Sequence, residues 1–500
     1  MSKAKKHMAK SDSGAPPSGQ VPSGNLARCD AKQLASELSK YYAGYAPLFS
    51  RSEQREWAQL YLRGQLSDLE RKSIEPMVRR ERGQDINAVR AVQQFIGEGA
   101  WDDDRILERH QHLVAEDLGE GDGTMIVDGS GFPKKGEHSV GVQPQYCGAL
   151  GKIANCQQGI FVVYASNHGH TFVDRRLYML EAWLDEAHAA KRKKCGVPAD
   201  LQFKTEPELG LEMIRGLNKR GVVPFCGVNA DEHFGMNPAF LDGVAAAGKW
   251  YFAEVPVTTR VWAAEVEVLP PGKGQAGNLK TGRPRSGPRV ARNEPVPQEL
   301  HEIADGLPAS TWRCYTIKEG AKGPITAKFA FVRGRSKRRR RPGDDVWVVF
   351  RRSTSDPTDI KFYLSNAPVT VAKTDLVRQA GLRWPVETAI EEGQSELGMD
   401  HYEIRTWPGW HHHMTLTFLA HHFLVRLRLK LKKIPGADAG PKQSADPERA
   451  RPTRTQLPTR TRDRHLSSTT QLCGLLLSPQ THSQDAQTKE KKAKMTHFSL

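Results

Sequence analysis

The sequence has few cysteines and no long apolar run, and both shortages narrow the classes of protein that it can encode. Its seven cysteines are scattered along 500 residues, and no two of them form a C-x-x-C pair. Neither a zinc ribbon nor a disulfide framework is therefore indicated, and reduced thiols are the simpler interpretation. The chain has no apolar run of the roughly 18 residues that a membrane helix needs, and its N-terminus lacks the apolar stretch of a signal peptide. We expect a cytoplasmic protein without a membrane span.

Acidic residues are also in short supply relative to basic ones. Lys and Arg total 73 against 57 Asp and Glu, which gives a formal net charge of +16. Neutralisation of phosphates by Lys and Arg supplies most of the non-specific affinity of proteins for nucleic acids. The charge therefore favours a polyanionic partner, although binding to a ribosome or to a membrane surface is served by the same excess.

The length predicts two or three compact units with tails. Residues 1–25 are rich in Lys, Ser, Gly and Pro and are expected to be disordered. Residues 26–118 space their apolar side chains three and four apart, which predicts a helical domain that either binds DNA or serves in packing or dimerisation. Residues 119–262 change to short β-type runs and helices, including one expected helix over residues 175–194. This alternation is typical of a mixed α/β sheet.

The second half of the chain is predicted to contain a β-rich segment followed by a helical one. Residues 263–373 are predicted to be β-rich, with "AKFAFV", "DVWVVFRR" and "IKFYLSNA" as strands. Residues 374–433 become helical again, and residues 434–500 lack any periodicity and are expected to form a disordered tail.

Three acidic residues suggest a metal site. The apolar strands "MIVDGS" and "FCGVNAD" end in Asp128 and Asp231, and the helical stretch "RWPVETAIEEGQSELGMDHYE" supplies several glutamates. An aspartate at a strand end is by itself a common turn former. Together with a helical glutamate, however, the two aspartates could supply the hard oxygen ligands that Mg²⁺ prefers. Two such ions activate the attacking oxygen and stabilise the leaving oxygen in phosphodiester chemistry.

Three long motifs carry a resemblance to a known family. "VDGSGFPKKGEHSVGVQPQYCGALGKIANCQQGIFVVYAS", "VNADEHFGMNPAFLDGV" and "RWPVETAIEEGQSELGMDHYEIRTWPGWHHHMTL" resemble the DDE transposases of bacterial insertion sequences, within a match over residues 25–430. The resemblance implies an α/β fold, with an RNase H-like catalytic domain interrupted by a β-rich insertion, an N-terminal helical domain and disordered termini. It also implies that Asp128, Asp231 and Glu387 are the catalytic residues and bind Mg²⁺, for which Mn²⁺ can substitute.

The sequence is most similar to the branch with a Tyr-Arg-Glu-Lys signature around the third acid. Arg383 and Glu387 match it, whereas Ala380 and Gln394 stand at the Tyr and Lys positions. Because Gln394 supplies no charge, weakened or lost activity is one expectation. Pro385 requires that the helix begin near it, so that Glu387 is expected in the first turn. The competing candidates for the third acid are two neighbouring glutamates, Glu391 and Glu392.

The resemblance further implies an enzyme that cuts DNA at the terminal inverted repeats of its element and joins the freed 3′-hydroxyl to target DNA. A homodimer in the synaptic complex and association with the nucleoid are implied as well. Three alternatives stay open: a catalytically weakened or domesticated DNA-binding relative, a structure-specific nuclease of the same fold, and a purely structural nucleic-acid-binding protein.

Several residues are candidates for contacting DNA. "RGRSKRRRRPGD" is expected to be a charged hairpin loop that binds a polyanion. The candidate DNA-binding residues are Lys134, Lys135, Arg260, Arg338, Arg339, Arg383, Gln394 and Arg405. Three tryptophans of the insertion, Trp262, Trp312 and Trp347, could stack on an unpaired base, but core packing is the better interpretation for each. A zinc site at the histidines of "WHHHM" is disfavoured because no Cys or acidic partner follows a recognised pattern.

Overall fold

The computed structural model describes residues 28–270, 287–320, 323–338 and 341–432. Both segments expected to be disordered, residues 1–25 and 434–500, lie outside the described residues. The helices are α1 Arg28–Ala43, α2 Ser52–Gln65, α3 Ile74–Arg82, α4 Ile86–Gly97, α5 Asp103–Leu118, α6 Ala189–Lys194, α7 Glu206–Arg220, α8 Glu232–Gly235, α9 Pro238–Ala246, α10 Leu300–Gly306, α11 Lys373–Gly381, α12 Arg383–Leu397 and α13 Trp407–Lys432.

The strands begin after α5, where the sequence changes from helical periodicity to short β-type runs. They are β1 Thr124–Pro133, β2 Gln143–Cys147, β3 Lys152–Ala165, β4 His170–Tyr178, β5 Gly227–Ala230, β6 Trp250–Glu254, β7 Arg260–Trp262, β8 Val268–Leu269, β9 Arg289–Val290, β10 Gln298–Glu299, β11 Arg313–Gly320, β12 Gly323–Arg338, β13 Arg341–Ser353 and β14 Ile360–Ser365. All except β8 and β9, which pair with each other, join one mixed sheet.

Five of these strands form the centre of the sheet in the order β4-β3-β1-β5-β6. β1 pairs antiparallel with β3 and parallel with β5, and β6 continues parallel beside β5. Parallel neighbours need a crossover, which α7 supplies between β4 and β5. The result is a mixed α/β domain of the RNase H-like kind.

The β-rich segment after β6 extends the same sheet. β14 pairs antiparallel with β6, so that Leu364 lies opposite Ala253, and β13 and β12 follow outwards. The apolar side chains of these strands continue the core of the central strands, with Val348 and Phe350 in the same cluster as Val228. The β-rich segment therefore continues the central sheet directly from β6.

The N-terminal helices pack against α13. Leu62 of α2 and Val92 of α4 share one apolar cluster with Leu416 and Leu419 of α13. Buried hydrogen bonds cross the same boundary, including one from the Gln65 amide to the Thr417 hydroxyl at 2.6 Å. α13 is therefore buried between the N-terminal helices and the catalytic sheet, and the helical domain is firmly attached to the rest of the protein.

The helix expected over residues 175–194 is wrong for most of its length. β4 occupies its beginning, and only α6 at its end is α-helical. Because β4 is covered on both faces, with Val173 in one apolar cluster and Phe172 in another, it lacks the alternation that marks a half-exposed strand. Arg175 is buried within it and pairs with Asp103 and Asp104 of α5, contacts that local periodicity does not reveal.

Candidate active site

The pairing of β1 with β5 brings two aspartates side by side. Val127 of β1 lies opposite Ala230 of β5 in this parallel pair. The next residues in the chain are Asp128 and Asp231, which therefore lie side by side. The backbone amide of Gly129 donates to Asp128 Oδ1 at 2.8 Å. Asp231 begins α8 as its N-cap, since its Oδ1 accepts a hydrogen bond from the Phe234 amide at 3.1 Å. The buried apolar strands thus fix both carboxylates at one edge of the sheet core.

The pKa of the Asp128 carboxyl group is raised to about 7. Burial is the largest cause, and the negative charge of Asp231 acts in the same direction. Arg383 opposes the shift, while Glu387 adds a smaller contribution that raises the pKa further. The site therefore carries more negative charge than its own cations neutralise.

The third element of the site is the beginning of α12. The helix begins at Arg383, so Pro385 lies in the first turn as expected, where it interrupts no helical hydrogen bond. Glu387 is the fifth helical residue, and the expectation that it lies in the first turn is wrong. The helix begins two residues before Pro385 because α11 ends at Gly381, with Leu382 alone between the two helices. Glu387 consequently gains little from the helix dipole.

Arg383 connects the carboxylates of this region. Its guanidinium Nη1 lies 2.9 Å from Glu254 Oε2 at the end of β6, and its Nε lies 3.4 Å from Glu387 Oε1. The neighbouring acids Asp128 and Glu254 raise the pKa of the guanidinium, against the effect of burial. Arg383 is thus held between β6 and α12, beside the paired aspartates.

The other polar residues of α12 divide between two environments. Gln394 Nε2 donates to the Ser130 hydroxyl at 3.2 Å, two residues beyond Asp128 on β1. Glu392 is buried, and its Oε2 lies 3.1 Å from His421 Nε2 of α13, whereas Glu391 is exposed. Of the three candidate glutamates, Glu387 is the one whose charge acts on Asp128. Its role as the third acid stays a prediction.

The carboxylates fit a divalent cation chemically, although the site is not preformed. Within the described ranges, no three His, Cys, Asp or Glu side chains are grouped closely enough to hold a metal ion. Asp128 and Asp231 nevertheless offer the hard oxygen donors that Mg²⁺ and Mn²⁺ prefer. Burial and the negative charge of Asp231 raise the pKa of Asp128, and a bound cation would favour its ionised form. The Glu387 carboxylate is directed towards Arg383, so completing the site requires it to change partner.

Two further residues near Asp128 were not identified from the sequence. Glu206, the first residue of α7, lies beside Gly129: a Cβ added to this glycine would be 3.5 Å from Glu206 Oε2. The same Oε2 lies 3.4 Å from Nε2 of His233, and this contact raises the pKa of the imidazole, helped by Asp231. His233 could have been suspected because it follows the second aspartate by two residues, but nothing in the sequence around Glu206 indicates its position.

The lysines and arginines that are candidates for binding DNA differ in their exposure and in their existing partners. Lys134 is partly buried: its Nζ donates to the Tyr402 carbonyl at 3.1 Å, and burial lowers the pKa of the ammonium to about 8. Lys135 and Arg405 are exposed. Arg260 is exposed but bonded to Glu299 at 2.7 Å. None of these contacts decides whether the side chains bind DNA, which stays a prediction.

The basic segment of the insertion is a pair of strands, and its interpretation as a hairpin loop is wrong. β12 continues to Arg338 and β13 starts at Arg341, while Arg339 lies outside the described residues. Acidic partners neutralise part of the charge that a free loop would carry. Arg335 pairs with Asp345 across the strands at 2.7 Å, and the Arg338 guanidinium binds Asp242 at 2.9 Å.

The fold and the paired aspartates define the class of protein: an α/β nuclease domain of the RNase H-like kind. A family described as DDE superfamily endonuclease matches residues 44–324, which is more than half of the chain, and the protein belongs to that family. The match includes Asp128 and Asp231 and ends before α12. No curated protein matches the chain. Membership of the family implies a nuclease that acts on DNA. No described helix is long and apolar enough to cross a membrane.

Proposed function

We propose that the protein is a transposase of an insertion sequence, which cleaves DNA at the ends of its element and transfers the strand into target DNA. Asp128, Asp231 and Glu387 would hold Mg²⁺ or Mn²⁺ for this reaction. The observation that supports the proposal most strongly is the parallel pairing of β1 with β5, which brings Asp128 beside Asp231, with the pKa of Asp128 raised by burial and by that second carboxylate. A structural DNA-binding protein has no need of such a destabilising arrangement.

In the proposed reaction, the residues of the chain act by positioning the substrate and the metal ions and by supplying charge. When bound, the divalent ions supply an activated water or hydroxyl and neutralise the leaving oxygen. β1 and β5 hold Asp128 and Asp231 in place before any ligand arrives, which lowers the cost of organising the site. Arg383, fixed by Glu254, presents a guanidinium to a phosphate entering beside the acids.

The partners follow from the same proposal. The DNA comprises terminal inverted repeats and a target site, bound by exposed basic residues such as Lys135 and Arg405. The proposal also includes a homodimer that bridges two DNA ends in the synaptic complex. It further includes association with the nucleoid. A catalytically weakened relative is a second candidate, because Gln394 binds Ser130 where the Tyr-Arg-Glu-Lys signature has a lysine.

The test is cleavage of a plasmid carrying the genomic DNA that flanks the coding sequence, with Mg²⁺ or Mn²⁺. We expect D231A to lower cleavage by a factor of about 10³ or more, because the remaining aspartate cannot hold a cation alone. The matched control is D305A, which removes an exposed aspartate of α10 far along the chain from the acids and should cleave normally.

Each alternative gives a different pattern in this assay. Cleavage that needs no metal, or that survives D231A, contradicts the mechanism. Cleavage without joining to a second plasmid favours a structure-specific nuclease of the same fold. Metal-independent DNA binding without any nicking favours a structural protein, and weak nicking that D128A leaves unchanged favours the weakened relative.

A further inference from the structure

The end of the β2–β3 hairpin carries a small apolar surface in contact with solvent. Among the described residues, eleven large apolar side chains are exposed, and three of them lie within eight consecutive positions of this hairpin. They are Tyr146, Leu150 and Ile153, which leave 66 %, 47 % and 73 % of their surface exposed. Scattered exposed apolar residues are normal, whereas a contiguous group is typical of a binding surface. We call these three side chains the apolar tip.

The register of the hairpin brings the apolar tip together. Tyr146 of β2 lies directly opposite Ile153 of β3, and directly opposed residues of antiparallel strands share a face. Leu150 lies in the turn between them, where its amide donates to the Cys147 carbonyl at 3.0 Å. The side chain of Cys147 itself is buried, because successive residues of a strand point to opposite faces. The hairpin end thus has one face anchored in the protein and one apolar face in solvent.

The anchored face rests on the strand that carries the first acid. Cys147 Sγ lies only 2.9 Å from where a Cβ added to Gly131 of β1 would be, so a glycine at this position lets the hairpin approach closely. β3 also pairs with β1, and Gln158 lies opposite Gly131. Gly131 is three residues beyond Asp128, which is about 10 Å along an extended strand. The apolar tip is therefore rooted beside the proposed active site.

The charges around the apolar tip suit DNA. Residues 129–156 contain three lysines and a single acid, Glu137, and both Lys135 and Lys152 are exposed. DNA offers phosphates to the lysines and apolar base surface to a side chain that separates two base pairs. A second copy of the chain, also with a net charge of +16, fits less well. Three side chains are moreover too few for a stable dimer interface, which buries about 800 Å² on each partner.

We infer that the apolar tip enters the minor groove of the substrate duplex beside the cleavage site, separates two stacked base pairs and bends the DNA there. Apolar side chains that act as a wedge between base steps kink the duplex in this way. The inference rests on the proposed function only for the position of the wedge relative to the scissile phosphate. Leu150 and Ile153 are positioning residues, because they act on the shape of the DNA and not on the reacting atoms.

The test measures DNA binding and bending in EDTA, so that no outcome depends on cleavage. A duplex of about 30 base pairs is compared with the same duplex carrying a central mismatch, which eases the separation of stacked bases. The wild type should bind the mismatched duplex about tenfold more tightly, and fluorescence resonance energy transfer between the duplex ends should report a bend. L150S/I153S should lose both the preference and the bend. Its salt dependence should stay the same, because no phosphate contact is removed.

Two further variants separate a wedge from other kinds of contact. V296S is the matched control: it removes a side chain that is 79 % exposed, just before β10 at the other end of the strand order from β2. It should bind and bend both duplexes as the wild type does. L150K places a cation at the apolar tip, so it should tighten binding to both duplexes through the phosphates but abolish the bend.

Several outcomes would overturn the inference. They are a wild type without preference for the mismatch, bending that survives in L150S/I153S, and a loss shared by V296S. A changed oligomeric state of L150S/I153S would assign the apolar tip to a contact between copies of the chain, and would overturn the inference as well. D231A should keep the preference and the bend, so failure of the cleavage mechanism and failure of the wedge give different results.

Discussion

The acidic site and the histidine cluster of α13 are built from titratable groups in opposite ways. In the acidic site, Asp128 lies beside a second carboxylate, and its pKa is raised first by burial and then by the negative charge of Asp231. The histidine cluster consists of six buried imidazoles and one half-buried imidazole, that of His170. They are His110, His170, His411, His412, His413, His421 and His422.

Two imidazoles of the cluster, His413 and His110, have partners that suit their neutral form, whereas His421 and His422 lie against carboxylates. His413 Nε2 lies 3.0 Å from the Met399 carbonyl and must donate to it, which leaves Nδ1 to accept from the Tyr61 hydroxyl at 2.7 Å. Burial lowers the pKa of this imidazole to about 3. Similarly, His110 donates to the Phe172 carbonyl at 2.7 Å, and its pKa is lowered to about 3.

The difference shows how to recognise function in a cluster of ionisable side chains. Where like charges are held together at a cost, as at Asp128 and Asp231, a missing ligand is the natural explanation. Where an imidazole has neutral hydrogen-bonding partners on other parts of the chain, as His413 has in Tyr61 and Met399, it joins elements of the fold. His412 and His413 therefore connect α13 to the N-terminal helices, through the Ile96 carbonyl and the Tyr61 hydroxyl.

The largest expected effect is loss of stability in acid, caused by the histidine cluster. Burial lowers the folded pKa of His411 to about 3 and that of His170 to about 4, below the value of about 6.5 in an unfolded chain. The unfolded state therefore binds more protons, and the contribution that is complete above pH 6.5 is lost as the pH falls towards the folded pKa values. Each such histidine costs up to about 1.4 kcal/mol per pH unit in this window. Urea unfolding between pH 7 and pH 4 measures the loss.

A pair of glutamine variants tests the cause of this acid sensitivity. H413Q removes one titrating group from the cluster, so its stability should depend less on pH, although it should be less stable at pH 7. H112Q replaces an exposed histidine of α5 and should behave as the wild type does. If stability stays constant from pH 7 to pH 4, the cluster is not buried in its neutral form and the comparison fails.

A smaller effect of opposite sign is expected at the acidic site. Because the folded pKa of Asp128 is raised to about 7, the stability that its neutral form contributes is complete below the unfolded pKa and is lost as the pH rises through 7. At pH 8 without metal, D128N should therefore increase the free energy of unfolding, by about 1–3 kcal/mol once solvent screening of this partly exposed group is allowed for. Thermal unfolding in EDTA measures the gain.

Added metal should reverse the order of the two proteins. Mg²⁺ or Mn²⁺ binds the folded wild type and raises its Tm, whereas D128N, with one ligand weakened, should respond little. D305N, which changes the exposed aspartate of α10, should resemble the wild type with and without metal. A wild type that is already more stable than D128N in EDTA would show that the acids are neutralised internally and are not waiting for a cation.

The sequence predicts the parts of the site that depend on local pattern. Apolar runs ending in Asp128 and Asp231 indicate two strands, and Pro385 correctly predicts a helix beginning near it, because strand burial and proline geometry act locally. The α/β class and the DDE family follow from the same motifs and are confirmed. The assignment of Glu387 rests on the spacing from Arg383, and no comparison tests it.

The parts that could not be predicted depend on contacts between distant segments. Glu254 is placed beside Arg383 by the pairing of β6 with β5 and β14, more than a hundred residues before α12 in the chain. Glu206 reaches Gly129 only through the packing of α7 on the sheet. The sequence pattern predicts a helix at the end of β4 because both faces of this strand are buried. Burial on both faces removes the alternation of apolar and polar residues that identifies a strand.

The smallest expected effect concerns Gln394, which lies where the acidic site should meet DNA. Its amide donates to Ser130 on β1, so the side chain points along the face that carries Arg383. Q394K exchanges this neutral hydrogen bond for a cation, which should tighten DNA binding severalfold and steepen the salt dependence by about one phosphate contact. Its stability should change by no more than about 0.5 kcal/mol. Q394L, which loses the hydrogen bond without gaining charge, is the control. An unchanged salt dependence for Q394K would mean that DNA does not approach this face of α12, and that the surplus of negative charge at Asp128 serves something other than a phosphodiester.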